Sequence, residues 1–303
     1  MVKQTFIVSA LRVVIGVALL ACGGTPPRRV RIDPYSARVG GCVESPAANS
    51  AVPMIDIATG EAVLGSTEAE RAQARIDFGP GGEQLFADEA PIRRAHVQGF
   101  ALDRSPVTNR LYAEFVHACG VIPPDAESLP QGKWEDMRRF HGFTQPYATV
   151  QRFLWQNNEP APGREDHPVV LVTHDEAAFY CAWRGMRLPR EEEWERASRG
   201  PNGNAYPWGK IYDGFRVFGR VRGSNDTAPV GSLPQGNTRE GFTDMGGHVW
   251  EWTDTRWKGR KGHYVVKGNS WDGRAGYGRG AAHDSRARDV VDVTLGFRCA
   301  ASP

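Results

Sequence analysis

Apolar side chains recur every three to four residues after residue 108, which is the spacing of an amphipathic helix. The apolar positions are Leu111, Tyr112, Phe115 and Val116. Thr108 precedes them and belongs to the residue types that cap helix N-termini. Gly120 follows them and suits the left-handed conformation in which many helices end. The pattern therefore predicts a helix between Thr108 and Gly120.

Two further stretches carry the start and stop signals of helices. Residues 173–185 begin with Thr173 and Glu176, which have the spacing of a capping box, and end in glycine. Residues 190–200 have acids in the first turn, arginine in the last turn and a glycine at the end, the order that the helix dipole favours. Elsewhere short strand-like runs alternate with long turns rich in Gly, Pro and Trp. The chain is therefore predicted to be α+β, with short helices, small sheets and long loops.

The first 21 residues have the pattern of an export signal. Lys3 and Arg12 precede a run of nine apolar residues, which is too short to span a bilayer as a helix. The sequence Leu-Leu-Ala-Cys that closes the run resembles the lipobox of bacterial lipoproteins, in which Cys22 becomes the lipidated first residue. An ordinary secretory signal with a chance cysteine is the alternative. We expect a lipoprotein anchored to a membrane through Cys22 and facing the periplasm or the cell exterior.

The mature chain divides into a tether and one domain. Residues 22–53 are rich in Pro, Gly, Ser and Arg without apolar periodicity, which predicts a flexible linker after the lipidated cysteine. Residues 54–303 show no second change in composition and have the length of one domain. Removal of residues 1–21 takes two basic residues from the 37 and none of the 35 acidic ones, so the mature chain is formally neutral. Neutrality argues against a nucleic-acid partner.

Four cysteines lie beyond the signal: Cys42, Cys119, Cys181 and Cys299. Four cysteines allow three pairings, and their spacing alone does not choose among these. None forms a C-x-x-C pair, so neither a zinc ribbon nor a thioredoxin-type site is indicated.

The stretch WDGRAGYGRG, residues 271–280, has the glycine density of a phosphate-binding loop. A dinucleotide loop needs a strand before it and a helix after it, and a P-loop ends in Gly-Lys-Ser/Thr. The following residues, AAHDSRARDVVDV, provide neither. A nucleotide site is therefore not expected here.

Several long motifs occur in an order that resembles the formylglycine-generating, or sulfatase-modifying-factor, family. The motifs begin with HPVVLVTHDEAAFYCAWRGMRLPREEEWERASRG, and YPWG, APVGSLPQ, GFTDMGGHVWEW and GFRCA follow. The resemblance covers about residues 54–303. It implies a single irregular α+β domain related to C-type lectins. Where the family's helix has a capping Thr, this chain has Arg190, and loss of such a cap costs about 1 kcal/mol.

The resemblance also implies a chemistry, because members of the family hold copper(I) with two cysteines and oxidise a substrate cysteine. Those positions follow a GGSY segment, which reads GNSW here, and they correspond to Gly273 and Gly278. Glycine has no side-chain ligand for a soft metal. Copper is therefore not expected. Trp250 and Ser270 correspond to residues that line the family's pocket, so a cleft is expected to remain; Trp250 is alternatively a core residue.

By the same matching, one of the family's calcium sites is expected and the other is not. The expected ligands are carboxylates of Asp244 and Glu251 and main-chain carbonyls of Gly247 and Val249, which are oxygen donors that suit calcium. At the second site the resemblance places Arg222 and Arg216 where an acid and an amide are needed. One calcium is therefore expected.

The resemblance pairs Cys181 with Cys299, which leaves Cys42 and Cys119 as a second pair. A bond that closes a loop of more than a hundred residues contributes roughly 4 to 5 kcal/mol by loop entropy.

Two classes of function remain open. The first is a binding or scaffold lipoprotein that holds a protein or glycan partner outside the cytoplasm, with no catalytic residues expected. The alternative is an oxidoreductase of the same family with a different, non-copper chemistry in the retained cleft. A retroelement-diversified receptor is disfavoured because no Asn occurs between Trp271 and Gly296.

Overall fold

The computed structural model describes residues 42, 52–78, 86, 89, 91–141, 145–220 and 223–303. The predicted signal peptide, Cys22, nearly all of the linker and Arg222 lie outside the described residues. Of the linker, Cys42 and residues 52 and 53 are described, and Cys42 forms a disulfide with Cys119. No helix within the described ranges is long and apolar enough to cross a membrane.

The described part of the chain contains six short α-helices. They are α1 (Glu68–Phe78), α2 (Asn109–Cys119), α3 (Gln131–His141), α4 (Tyr147–Val150), α5 (His174–Trp183) and α6 (Glu191–Arg199). Three-residue or four-residue 3₁₀ helices occur at Gln151–Phe153, Pro234–Gly236 and Ala275–Gly278.

Among the described residues, nine short strands form three small sheets. The strands are β1 (Met54–Ile57), β2 (Gly60–Leu64), β3 (Arg93–Val97), β4 (Phe100–Asp103), β5 (Trp250–Arg256), β6 (His263–Lys267), β7 (His283–Ala287), β8 (Leu295–Gly296) and β9 (Ala300–Ala301). The sheet orders are β1-β4-β9, β2-β3 and β7-β6-β5-β8. All pairs are antiparallel except β5 with β8, where Trp250 lies opposite Leu295. The expected α+β architecture of short helices, small sheets and long loops is confirmed.

The sequence signals for α2 and α5 correspond to real caps. The Thr108 hydroxyl accepts a hydrogen bond from the Leu111 amide, and Gly120 ends α2 in the left-handed region with φ 62°. At the start of α5, the Glu176 amide donates to the Thr173 hydroxyl while the Thr173 amide donates to the Glu176 carboxylate at 2.8 Å. Both helix predictions are therefore confirmed at their N-terminal ends.

Helix α6 begins at the position where Arg190 replaces a capping residue. The Arg190 amide donates to the Glu193 carboxylate at 2.8 Å, which is one half of a capping box. The Thr255 hydroxyl, which comes from β5, accepts a hydrogen bond from the Glu191 amide at 2.9 Å. A side chain from a distant part of the sequence therefore takes over part of the missing cap.

A disulfide and a hydrogen bond to a buried ion pair connect the C-terminal segment to the core. Cys181 of α5 and Cys299 form the second disulfide, with a Cα–Cα distance of 5.5 Å. The guanidinium of Arg184 donates to both oxygens of Asp103, and the Cys299 amide donates to the same carboxylate. Tyr180 and Phe297 pack edge to face nearby. These contacts hold the end of the chain against α5.

Candidate functional site

A pocket of about 510 Å³ opens beside the glycine-rich segment and the sheet of β5, β6 and β7. Trp250, Ser270 and Gly273, which the sequence matching placed around a cleft, all line this pocket. Gly278 lies in the adjoining 3₁₀ helix and packs against the main chain of Gly246. The structure thus brings three of these four positions to one cavity wall.

At Gly268 and Gly273 the main chain lies very close to neighbouring atoms. Gly268 has φ 102°, and a Cβ there would come within 2.9 Å of the Trp194 ring. Asn269 follows with φ 68° and is fully buried. Its side-chain nitrogen donates to the Arg274 carbonyl at 3.1 Å, which directs its oxygen toward Gly273. A Cβ on Gly273 would lie 1.8 Å from that oxygen.

Trp250 lines the pocket and also packs in the hydrophobic core. It is 5% exposed, and its ring lies edge to face against Tyr277 with 5.2 Å between ring centroids. Tyr277 comes from the 3₁₀ helix and also lines the pocket. The two expectations for Trp250, a pocket wall and a core residue, are therefore compatible.

Arginine side chains from four separate segments reach the pocket: Arg220, Arg260, Arg274 and Arg286. Arg220 donates to Asp272 at 2.5 Å, and Arg286 forms an ion pair with Asp284 at 2.6 Å. Asp292, also in the wall, is 6% exposed and accepts a hydrogen bond from the Thr294 amide. Burial raises the pKa of Asp292 above its ordinary value, although the charge of Arg286 acts against this shift.

Burial and the positive charge of the pocket lower the pKa of two histidines at its edge. Burial lowers the pKa of His263, and the charges of Arg260 and Arg286 lower it further. Burial also lowers the pKa of His141; Asp289 opposes this shift, while Arg260 and Arg286 add to it. The arginines therefore disfavour additional positive charge in this pocket.

The two carboxylates expected to bind calcium accept hydrogen bonds from groups of the protein itself. Both oxygens of Glu251 accept hydrogen bonds from Arg298, at 2.6 and 2.7 Å, and one also accepts from the Trp194 indole at 2.7 Å. Glu251 and Arg298 are fully buried. A guanidinium thus already neutralises the carboxylate that calcium would need.

Asp244 is likewise committed to neighbours within the protein. One carboxylate oxygen accepts from the Gly231 amide and the Thr243 hydroxyl, and the other lies 3.5 Å from Nδ1 of His248. Burial acts to raise the pKa of Asp244, but His248 and these donors outweigh it, so the pKa is lowered. Gly247 is held by close packing, because a Cβ there would lie 2.1 Å from the Phe218 carbonyl. Val249 is fully buried in the same loop.

A second, larger cavity of about 1020 Å³ adjoins the first at His141. Its wall includes prolines 123, 124 and 130, Leu129 and the first turn of α5. Sequence reasoning missed this cavity and the arginines of the smaller pocket. The one local signal was the basic run RWKGRKGH, residues 256–263, which by itself is typical of a solvated turn.

Comparison with known protein families assigns the chain to one family. The model of the sulfatase-modifying factor enzyme 1-like domain matches residues 41–303, so the chain belongs to this family. It is 34% identical over 265 residues to a Mus musculus protein named inactive C-alpha-formylglycine-generating enzyme 2, covering 74% of this chain and 84% of that protein. It is 29% identical over 288 residues to the Mycobacterium tuberculosis formylglycine-generating enzyme, covering 75% of this chain and 95% of that protein.

The solved structure of PvdO from Pseudomonas aeruginosa has the same fold. The TM-score is 0.63 at 22% sequence identity, and the match covers 88% of this chain and all of that one.

Proposed function

We propose that this chain is an exported binding module of the sulfatase-modifying-factor family and not a copper-dependent oxidase. The observation that carries the proposal is the position of the Asn269 side chain. Its oxygen lies 1.8 Å from where a Cβ on Gly273 would be. The first of the two expected thiolate positions is therefore a glycine without a side-chain ligand, and the Asn269 amide fills the space beside it.

The rest of the described chain supports the same conclusion. Soft copper(I) is bound by thiolate and thioether ligands. The four described cysteines are all consumed in the pairs Cys42–Cys119 and Cys181–Cys299. Gly278, the second expected thiolate position, is packed against the Gly246 carbonyl, which a Cβ would approach to 2.8 Å.

The comparisons are compatible with this proposal without deciding it. The chain is similar both to a protein named inactive and to one named as an active generating enzyme, at 34% and 29% identity. Overall similarity therefore does not separate the two outcomes. The local geometry at Gly273 and Asn269 supports the proposal, because it concerns the positions on which the oxidation would depend.

The proposed setting is the outer face of a membrane. Disulfides persist in oxidising compartments, and two of them are present. Lipid on Cys22 would hold the domain there through the Pro-rich and Arg-rich segment that follows. The partner in this setting is a protein or a glycan, and formal neutrality of the mature chain gives no basis for nucleic-acid binding.

Oxidation of a cysteine peptide tests the proposal. The purified chain, with disulfides intact, is supplied with copper(I), dioxygen and a peptide that the Mycobacterium tuberculosis enzyme converts. A monothiol supplies the two further electrons that the reduction of dioxygen to water requires, and formylglycine is measured by mass. We expect conversion by that enzyme and none by this chain above the level of copper alone. Catalytic turnover by this chain would overturn the proposal.

The anchor has its own test. Cells that express the full chain are labelled with a fatty acid and fractionated, in parallel with the Cys22→Ser variant. We expect label and membrane association for the wild-type chain and loss of label for the variant. Equal labelling of both would contradict lipidation at Cys22.

A second candidate is a non-copper oxidoreductase in the same pocket. One observation favours it: Asp292 lies buried in the pocket wall with a raised pKa, an arrangement that is typical of acid–base groups. Asp292→Asn should abolish any turnover that the wild-type chain shows toward a candidate substrate. Unchanged turnover in this variant would exclude Asp292 from the chemistry.

A further inference from the structure

We propose that the pocket lined by Arg220, Arg260, Arg274 and Arg286, here termed the arginine pocket, binds a small organic ligand through its carboxylate. The inference deepens the proposed binding function and rests on it, because it assigns a ligand class to the same cavity. The site would take the place that the copper chemistry leaves vacant in the family fold.

The cationic groups of the arginine pocket come from separate segments of the chain. The four arginines come from the loop after residue 217, the β5–β6 turn, the glycine-rich segment and β7. Arg260, Arg274 and Arg286 lie 12 to 14 residues apart and Arg220 lies 40 residues before Arg260, so the fold brings them together at one cavity. A guanidinium offers paired N–H donors that match the two oxygens of a carboxylate.

Three aspartates among the described residues line the same wall. Asp272 is paired with Arg220, and Asp284 is paired with Arg286. Asp292 accepts from the Thr294 amide, and burial raises its pKa. Arg260 forms no ion pair with any carboxylate in the described part of the chain. Its charge is therefore available to a ligand that enters from solvent.

A histidine nitrogen in the pocket wall lacks a hydrogen-bond partner among the described residues. Nδ1 of His263 is buried and has no hydrogen-bond partner among the described residues. His263 lies in the wall beside Arg260. Buried polar atoms are rarely left without a partner in folded proteins, so this nitrogen marks a part of the pocket wall that can accommodate a polar partner.

The size of the pocket favours an organic ligand over an inorganic ion. A volume of about 510 Å³ lies in the range of cavities that hold small organic molecules and is much larger than a single inorganic ion requires. The edge-to-face pair of Trp250 and Tyr277 supplies an aromatic surface for the remainder of the ligand. These features favour an organic carboxylate over sulfate or phosphate.

Calorimetric titration of the purified chain tests the inference. The probes are benzoate, N-acetyl-phenylalanine and citrate, with benzamide and N-acetyl-phenylalanine amide as uncharged counterparts and sulfate and phosphate as inorganic anions. We expect at least one carboxylate to bind, with its affinity reduced by added salt, and its amide counterpart to bind at least about tenfold more weakly.

Variants separate the arginine pocket from general surface charge. Arg260→Ala removes an exposed guanidinium and is expected to weaken carboxylate binding about tenfold, while Arg260→Lys recovers part of the affinity. Arg94→Ala removes an exposed arginine of β3 that does not line the pocket, and it should bind as the wild type does.

Three outcomes would overturn the inference. They are no binding by any carboxylate, equal binding by the amides, and equal binding by the wild-type chain and Arg260→Ala. The first outcome includes the case in which only sulfate or phosphate binds, because the site would then be a simple anion site. None of these results concerns copper retention or peptide oxidation, so the proposed function fails or stands separately.

Discussion

Replacement of Arg298 by Met should destabilise the protein far more than loss of an arginine at the surface. Arg298 donates two hydrogen bonds to Glu251, and its remaining N–H groups donate to the carbonyls of Asp103, Arg104 and Thr243. The pair is fully buried. Methionine leaves the carboxylate in the interior with only the Trp194 indole as a donor.

The magnitude follows from the cost of an unpaired buried charge. Removal of one partner from a buried ion pair typically costs about 3 to 5 kcal/mol. For a domain of this size, such a loss lowers the melting temperature by roughly 10 °C. Arg110→Met is the matched control, because Arg110 and Asp166 form an ion pair with more than half of each side chain exposed. Its loss should cost no more than about 1 kcal/mol.

Urea unfolding of both variants gives the two free energies. The double variant of Arg298→Met with Glu251→Gln should be more stable than the sum of the single changes predicts, because neither charge is then left alone. A cost below about 1 kcal/mol for Arg298→Met, similar to that of the control, would refute the reasoning.

The same variants test the calcium expectation. If Glu251 is paired with Arg298 as described, a chelator should leave the unfolding midpoint of the wild-type chain unchanged. If Glu251 instead binds calcium, the chelator should lower the midpoint of the wild-type chain, and Glu251→Gln should lose that response.

Three further predictions concern stability. Thr255→Val removes the acceptor for the first amide of α6 and should cost about 1 kcal/mol in urea unfolding; no change would mean that α6 needs no cap. His283 and Lys267 outweigh burial and lower the pKa of Glu191 from 4.5 to about 2. Its folded pKa lies below its unfolded pKa, so it stabilises the protein above about pH 4.5 and loses this effect as pH falls toward 2; Glu191→Gln should flatten the unfolding free energy across that window, and an unchanged slope would contradict this. Replacement of Cys181 and Cys299 by Ser should cost about 3 to 5 kcal/mol, and a smaller loss would mean that the unfolded chain gains little freedom.

The parts of the fold that local sequence controls could be predicted. The caps of α2 and α5 depend on Thr108 and on the pair Thr173 and Glu176, which lie within four residues of the amides that they bind. The α+β class followed from helical periodicity and from the density of turn residues. These features need no knowledge of distant contacts.

The features that were missed depend on residues far apart in the chain. Thr255 caps a helix that begins 64 residues earlier. Arg298 reaches Glu251 across 47 residues and occupies the carboxylate that was expected to bind calcium. The arginine pocket draws on four segments that share no motif. A sequence pattern shows which groups are present, whereas the pairing of buried charges is decided by packing.

The copper(I) content of the purified chain tests the central claim most directly. The chain is prepared with both disulfides intact, loaded with copper(I), and dialysed against a copper(I) chelator before metal and protein are measured. The geometry at Gly273 and Asn269 predicts that no stoichiometric copper remains. Retention of one copper per chain, together with turnover of a cysteine peptide, would contradict the account and restore oxidase chemistry to this pocket.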